Sequence, residues 1–283
     1  MILFSKMEGT GNDFIIINCI SQYFSYSLNS FSKYLCNRKF GVGADGVIFI
    51  FKSYVADCKI RIFNNDGTEA EMCGNGIRCV GKYIYEKGII NRSNAKIETI
   101  VGVKELELII ENKTVINVKV KMNKPYFEAR RIPAYLPKEE LNKNIHSVKI
   151  KVDEIEYKFY LVSLGNPHAV CFVESLYDVD LRRIGEIVEN YKYFPNRTNV
   201  EFVQIVDKNN IKLKVWERGV GETLSCGTGA CASVVIGCRK AMMDKNVLVE
   251  VDGGKLQVNW EEDEDNLYLT GESEFVYEGR LNL

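Results

Sequence analysis

KIRIFNNDGTEAEMCGNG (59–76) recurs in altered form as KLKVWERGVGETLSCGTG (212–229). The two stretches align without a gap, and five positions are identical: Lys59/Lys212, Glu69/Glu222, Cys73/Cys226, Gly74/Gly227 and Gly76/Gly229. The dipeptide Gly11-Asn12 returns as Gly165-Asn166 at nearly the same offset. The alternative interpretation is two unrelated strand–turn–helix units with Gly-rich turns. Two independent matches at nearly the same spacing favour an internal duplication, with a boundary near residues 123–125.

Segments with strand patterning dominate both halves of the chain. Runs such as CKIRIF and VINVKVKM in the first half, and KLKVWE and KLQVNW in the second, alternate apolar and polar residues as half-buried antiparallel strands do. Each half also has one strong helix signal, over 74–87 and 227–242, directly after its cysteine, and the second of these has a face suited to burial. The sequence therefore predicts an α+β chain of two similar domains, each a mostly antiparallel curved sheet holding a central helix. If the halves face each other, we expect a ligand pocket where their equivalent elements meet.

The composition excludes several functional classes. Lys and Arg total 37 against 38 Asp and Glu, so the basic surface typical of nucleic-acid binding is missing. The longest apolar runs fall far short of the ~20 residues that span a bilayer, and the first residues lack the pattern of a secretion signal. We expect a cytoplasmic protein with a small-molecule substrate, no nucleic-acid partner and no membrane association.

The nine cysteines suggest thiol chemistry. Their number is odd, and the chain has neither a C-x-x-C motif nor more than two histidines, which disfavours a disulfide framework and a metal site. Seven of the cysteines fit burial in strands or helices: Cys19, Cys36, Cys58, Cys79, Cys171, Cys231 and Cys238.

Cys73 and Cys226 differ from the other seven, because each stands just before a Gly-x-Gly that opens a predicted helix. Free N–H groups and the helix dipole at such a position lower the pKa of a nearby thiol. The same N–H groups bind a carboxylate, and glycine lets a ligand approach the backbone. Two such units on opposite sides of one carbon suit the inversion of an amino-acid α-carbon, in which one thiolate removes the α-proton and the opposite thiol delivers another.

No cofactor is expected for this reaction. The intermediate carbanion spreads its charge into the carboxylate, and fixed hydrogen-bond donors there are worth ~3–4 kcal/mol each in a dry site. The sequence has no Gly-rich dinucleotide loop after a strand and no recognisable pyridoxal-binding lysine motif. His168 follows the repeated Gly-Asn turn that we expect to face the pocket, which makes it a candidate supporting residue, whereas His146 has no motif around it.

The chain resembles the diaminopimelate epimerase family over nearly its whole length. The motifs that carry the resemblance are MEGTGNDF, GVGADGVIF, FNNDGTEAEMCGNGIRC, SLGNPHAV, FPNRTN, VWERGVGETLSCGTGACA and VDGGKLQV. The resemblance implies conversion of LL-2,6-diaminopimelate to the meso form without a cofactor, for lysine and peptidoglycan synthesis, and a homodimer. It also implies two pseudo-symmetric domains, residues 1–123 plus 275–283 and residues 124–274, because the last strand of such proteins returns to the first domain.

The resemblance assigns roles to individual residues. It makes Cys73 and Cys226 the catalytic pair. Backbone amides hold the reacting carboxylate at Gly74, Asn75, Gly227 and Thr228. Asn12 belongs to the first substrate-contacting turn. The distal amino-acid end of the substrate is bound by Asn64, Asn166, Asn199, Glu217 and Arg218. An arginine fork suits the second carboxylate, and the acidic and amide oxygens suit the distal ammonium.

One position departs from part of the family. Some members have a glutamine after the Asp of the G-x-D motif, where this chain has Gly46, so no side-chain contact is expected there.

Several alternatives remain open. Proline- or histidine-type racemases of this fold keep the cysteine pair but need no complete distal set, while phenazine-type isomerases lack the paired cysteines. A thiol redox or binding protein would show no turnover without an electron donor. Lanthionine, a related bis-amino acid, fits the same two substrate ends.

Overall fold

The structure is a computed structural model that describes residues 1–141, 143–264 and 266–282. The chain divides into two compact units, residues 1–121 with 270–283 and residues 122–269. The domain boundaries given above remain a prediction.

The strands of the described residues are β1 Ile2–Gly9, β2 Asn12–Asn18, β3 Gly46–Phe51, β4 Cys58–Asn64, β5 Glu69–Ala70, β6 Asn94–Thr99, β7 Gly102–Glu111, β8 Thr114–Lys121, β9 Ser147–Val152, β10 Ile155–Ser163, β11 Pro167–Val173, β12 Asn199–Asp207, β13 Asn210–Glu217, β14 Gly221–Thr223, β15 Asn246–Val251, β16 Gly254–Glu261, β17 Asn266–Gly271 and β18 Glu274–Leu281. The α-helices are α1 Leu28–Cys36, α2 Gly74–Glu86, α3 Leu181–Glu189 and α4 Gly227–Arg239.

The first unit is a mixed sheet in which most neighbours are antiparallel. Strand β2 is antiparallel to β1 and parallel to β3. Strand β4 is antiparallel to β3 and parallel to β6, from which β7 and β8 continue as an antiparallel meander. On the other side of β1 lies β18. The C-terminal strand was predicted over 275–283; Leu283 lies outside the described residues.

The second unit repeats the same strand order and the same pairing directions. Strand β11 is antiparallel to β10 and parallel to β12, and β13 is antiparallel to β12 and parallel to β15. The helices recur at matching places, α3 for α1 and α4 for α2. The predicted fold class, α+β with two pseudo-symmetric domains, is confirmed.

A buried helix follows the repeated cysteine in each unit. Helix α2 is buried from Gly74 to Ile84 and contacts β1, β2, β7 and β8. Gly81 permits this close packing, because a Cβ there would lie 2.9 Å from Leu106 Cδ2. Helix α4 contacts β10, β11, β12 and β16. It ends at Arg239 rather than at the predicted residue 242, since Ala241 has a left-handed φ of 55°.

Each unit also contains a second helix that the sequence analysis did not predict. Helix α3 buries Leu181, Ile184 and Val188 on one face, and the Asp180 carboxylate accepts a hydrogen bond from the Arg183 N–H at its start. An N-cap residue followed by apolar residues at helical spacing is a recognisable signal. Helix α1 packs on β4, and helix α3 packs on β13.

Candidate functional site

Cys73 is the N-cap of α2, as the sequence predicts from the following Gly-x-Gly. Its backbone is extended, with φ −136° and ψ 120°, and its Sγ accepts a hydrogen bond from the Gly76 N–H at 3.5 Å. The first helical backbone bond runs from the Ile77 N–H to the Cys73 carbonyl. The amides of Gly74 and Asn75 precede that bond and are therefore groups that the helix cannot satisfy internally.

Asn12 lies beside the Cys73 thiol, which donates to the Asn12 Oδ1 at 3.6 Å. The other end of the Asn12 amide is fixed, because its Nδ2 donates to the Asp45 carboxylate at 2.8 Å. Asp45 in turn accepts from Arg38, whose guanidinium also holds Asp13. The ion cluster behind Asn12 therefore sets which atom of its amide faces the thiol.

Two other predicted residues of the first unit have different surroundings. The Asn75 side chain is 3% exposed, and its Oδ1 accepts from the Arg78 guanidinium at 3.0 Å. Asn64 is exposed at the end of β4, and its Nδ2 donates to Thr68 Oγ1. Asn75 thus anchors the start of α2 through its side chain, while Asn64 is accessible.

Cys226 occupies the same position at the start of α4. Its Sγ accepts from the Gly229 N–H at 3.4 Å and lies 3.4 Å from the Thr228 hydroxyl. The Gly227 and Thr228 amides precede the first helical bond, which runs from Ala230 to Cys226. The two cysteines thus share the same local backbone, although Cys226 is only 6% exposed and Cys73 is half-buried.

The expected lowering of the thiol pKa is wrong for Cys226. Burial raises the pKa of this thiol well above its usual value, and the carboxylates of Glu217 and Glu201 raise it further. The Thr228 hydroxyl and the Gly229 N–H lower the pKa but do not compensate. With its pKa raised in this way, the Cys226 thiol keeps its proton at neutral pH.

Asn166 lies next to Thr228 in the second unit and links it to His168. The Asn166 Nδ2 donates to Thr228 Oγ1 at 3.3 Å, and its Oδ1 lies 3.1 Å from His168 Nε2. The other ring nitrogen of His168 lies 2.6 Å from the Glu201 carboxyl. Glu201 was missed by the sequence analysis; a charged residue within the apolar run VEFV was the signal for it.

Three of the predicted distal-end residues lie around the end of β13: Asn199, Glu217 and Arg218. The Asn199 Oδ1 accepts from the Arg218 backbone N–H at 2.9 Å. Burial raises the pKa of the Glu217 carboxyl, and hydrogen bonds from Thr223 and the Cys226 thiol lower it by less. The Arg218 side chain is exposed, and its Nη1 lies 3.5 Å from the Asn196 carbonyl.

The other cysteines for which the structure indicates a pKa shift are poor nucleophiles. Burial raises the pKa of Cys19 to about 11 and that of Cys36, Cys58, Cys171 and Cys238 to about 12. Within the described ranges, no group of three or more His, Cys, Asp or Glu side chains could hold a metal ion. No helix in the described part of the chain is long and apolar enough to cross a membrane.

Comparison with known proteins identifies one family. The diaminopimelate epimerase family model matches residues 4–128 and 160–276. A diaminopimelate epimerase of Methanococcus maripaludis is 44% identical over 280 residues, covering 99% of this chain and 99% of the relative. A diaminopimelate epimerase of Brachyspira hyodysenteriae is 44% identical over 281 residues, with the same coverage of both chains.

Solved structures share the fold at low identity. A probable proline racemase from Agrobacterium radiobacter, with bound carbonate, has a TM-score of 0.70 at 14% identity. The match covers 100% of this chain and 93% of the racemase chain. A phenazine biosynthesis protein of the PhzF family from Bacillus anthracis has a TM-score of 0.68 at 16% identity, and the match covers 100% of this chain and 99% of the PhzF-family chain. These likenesses establish the fold alone.

Proposed function

Because the chain belongs to the diaminopimelate epimerase family, we propose that it converts LL-2,6-diaminopimelate to meso-diaminopimelate with Cys73 and Cys226 as its two catalytic groups. The observation that carries this proposal is the pair of cysteines at equivalent helix starts. One thiolate takes the α-proton, and the electron pair of the broken C–H bond spreads into the adjacent carboxylate. The other thiol then gives its proton to the opposite face of the carbon.

The backbone supports this chemistry by binding the reacting carboxylate. We assign that role to the amides of Gly74, Asn75, Gly227 and Thr228, which their helices cannot satisfy internally. Donors fixed where the charge develops stabilise the carbanion more than the substrate. No cofactor is needed in this scheme, since the carboxylate itself accepts the charge.

The state of Cys226 fits the role of proton donor. Its raised pKa keeps the thiol protonated at neutral pH, and a protonated group is what delivery to the carbanion requires. Cys73, half-buried beside Asn12, is assigned the removal of the α-proton in that direction, which it carries out as the thiolate after losing the hydrogen that it donates to Asn12. The roles reverse for the return reaction.

We assign the distal end of the substrate to residues around the end of β13 and to two further asparagines, Asn64 at the end of β4 and Asn166 in the turn before β11. The exposed Arg218 guanidinium suits the second carboxylate, and Glu217 and the amide oxygens suit the distal ammonium. The assigned side chains are Asn64, Asn166, Asn199, Glu217 and Arg218, with Asn12 near the reacting carbon. This set favours a substrate with two amino-acid ends over the single-ended substrates of proline-type racemases.

We also propose that the enzyme acts in the cytoplasm as a homodimer, for lysine and peptidoglycan synthesis. Family membership supports these assignments. Light scattering of the purified protein tests the assembly: a mass twice the chain's 32.3 kDa is expected, and a monomer at working concentration contradicts it.

Removing either thiol tests the catalytic pair. We expect Cys73→Ala and Cys226→Ala each to lower kcat for epimerisation at least about a thousandfold, because inversion needs a proton transfer on both faces of the carbon. Cys19→Ala is the matched control, since this thiol lies directly after β2 and its pKa is raised to about 11; it should keep wild-type kcat. Full activity in either folded variant would exclude the pair.

A conservative change at Arg218 tests the distal end. Lysine keeps the charge but loses the fork that binds a carboxylate through two bonds. We expect Arg218→Lys to raise KM about tenfold with a smaller effect on kcat, because the distal end does not react. Arg182→Lys, an exposed arginine of the same unit paired with Glu222, is the control. Unchanged KM in Arg218→Lys would contradict the assignment.

A further inference from the structure

The space beneath the start of α2 is filled by two apolar side chains. A Cβ placed on Gly76 would lie 3.0 Å from Ile48 Cδ1 and 3.3 Å from Phe14 Cζ. Phe14 and Ile48 lie on the parallel pair β2 and β3, two positions apart in register, and both are at most 3% exposed. The first unit therefore closes this space with ordinary apolar packing.

The equivalent space beneath α4 contains an ionisable pair instead. The internal repeat aligns Phe14 with His168 and Ile48 with Glu201, on the matching parallel pair β11 and β12. A Cβ on Gly229 would lie 3.0 Å from the Glu201 Oε1. Both side chains are 0% exposed.

Folding does not require a buried ionisable pair at this place. Such a pair is costly to desolvate, and an apolar pair of similar volume is often as stable or more so. The first unit has that apolar solution in the same framework. In addition, the Glu201 Oε2 is buried without a hydrogen-bond partner among the described residues, a further cost. The pair therefore calls for an explanation beyond stability.

The hydrogen bonds around the pair determine which nitrogen of His168 carries a proton. The Asn166 Oδ1 can only accept, so Nε2, at 3.1 Å, must donate to it while the Asn166 Nδ2 donates to Thr228. Nδ1 then shares one proton with Glu201 at 2.6 Å. Whether that proton is bonded to His168 Nδ1 or to the Glu201 oxygen, the pair carries no net charge and Nε2 keeps its hydrogen.

We propose that Glu201 is a positioning residue for Cys226: it keeps the proton on His168 Nε2, which holds the Asn166 amide in the orientation that leaves the Thr228 hydroxyl free to donate to Cys226. This proposal rests on the proposed catalytic role of Cys226. The Thr228 oxygen receives the Asn166 N–H, so its own hydrogen points elsewhere, and the Cys226 Sγ lies 3.4 Å away. A carboxyl is required at position 201 because it leaves Nε2 protonated in either ionisation state.

Glutamine in place of Glu201 should move the proton. The Ala169 backbone N–H also donates to the Glu201 carboxyl, so the oxygen of the substituted amide would stay on that side and accept from His168 Nδ1–H. Neutral His168 would then have an unprotonated Nε2, and Asn166 would turn its Nδ2 toward that nitrogen. The Thr228 hydroxyl would donate to the Asn166 Oδ1 and be lost to Cys226.

The test is Glu201→Gln with two readouts. We expect kcat to fall at least about tenfold while KM changes less than about threefold, as expected when a histidine takes the wrong tautomer. Nitrogen-15 NMR of the histidine rings should show the His168 proton on Nε2 in the wild type and on Nδ1 in the variant. The chain has only two histidines, and this readout needs no enzymatic activity, so it separates failure of this proposal from failure of the proposed function.

Glu140→Gln is the matched control. Glu140 is a buried carboxyl of the same unit, 7% exposed and bonded to Ser147. The Glu140→Gln substitution should leave both kcat and the His168 tautomer unchanged. Wild-type kcat in Glu201→Gln, or an Nε2 proton retained in that variant, would overturn the proposal.

A double variant covers the case in which Glu201→Gln does not fold. His168→Phe with Glu201→Ile reproduces the apolar pair of the first unit, which already packs in this framework. We expect it to fold and to lose at least about tenfold in kcat. A folded double variant with wild-type kcat would show that the pair serves packing alone.

Discussion

At the scale of single residues, Cys73 and Cys226 show how equivalent backbone positions acquire different chemistry. Both accept a hydrogen bond from the amide three residues on. Cys73 donates to an amide oxygen, whereas Cys226 is buried against the carboxylates of Glu217 and Glu201. The repeat in the sequence predicts the pair. It does not predict the difference, because burial and facing charges depend on strands that lie far away in the sequence.

Asp13, in the ion cluster behind Asn12, should make stability depend on pH. Burial opposes its ionisation, but hydrogen bonds from Arg38 and Lys6 outweigh this effect and hold the pKa of the carboxyl well below its usual range. A carboxyl with a lowered pKa stabilises the fold above its unfolded pKa of about 3.9, and the stabilisation is lost as the pH falls below that value.

Asp13→Asn should therefore lower the free energy of unfolding by roughly 1–2 kcal/mol at pH 7, and by less below about pH 4. Urea titrations of the variant and the wild type, at pH 7 and at a pH below about 4, measure this difference in the free energy of unfolding. Asp252→Asn, at an exposed turn between β15 and β16, should change stability by less than about 0.5 kcal/mol. An Asp13→Asn deficit that is equal at both pH values would contradict the ionic explanation.

At the scale of elements, periodicity and glycine spacing predicted most strands and the two central helices. They did not indicate α1 and α3, nine residues each, because periodicity over so few positions does not separate a short amphipathic helix from an alternating strand; for α3 the N-cap Asp180 was an additional signal. The start of α4 was predictable from Cys226 and its glycines. Its end was not, since the left-handed Ala241 is set by the turn into β15 rather than by its own type.

The packing of α3 on β13 gives a prediction at this scale. A Cβ on Gly185 would lie 2.6 Å from Trp216 Cγ, and the indole is fixed because its Nε1 donates to Glu189. Alanine usually stabilises a helix by about 1 kcal/mol relative to glycine. At Gly185 we expect the opposite sign, a loss of about 1–3 kcal/mol from overpacking.

Gly185→Ala should also raise KM, because Trp216 immediately precedes Glu217 and Arg218. Thermal unfolding and steady-state kinetics of the same preparation measure both effects. Glu186→Ala, on the exposed face of α3, should alter neither. A Gly185→Ala protein as stable as the wild type would show that the indole can move aside without cost.

At the scale of the whole molecule, duplication explains both what is repeated and what is not. The two units share strand order, helix positions and the cysteine before the helix, which is why one internal alignment predicted the fold class. The units differ beneath these helices: the first places an apolar pair there, and the second places His168 and Glu201. That difference was visible in the sequence only after the registers of β3 and β12 were known.

In the proposed mechanism, the two thiols exchange protons with one α-carbon of diaminopimelate without a cofactor. Proton NMR of the reduced protein in heavy water with LL-diaminopimelate and no added cofactor tests it most directly. We expect the meso isomer to appear with deuterium at the inverted α-carbon and hydrogen retained at the other. A folded protein with both thiols reduced that yields neither the meso isomer nor deuterium at an α-carbon would contradict the proposed mechanism.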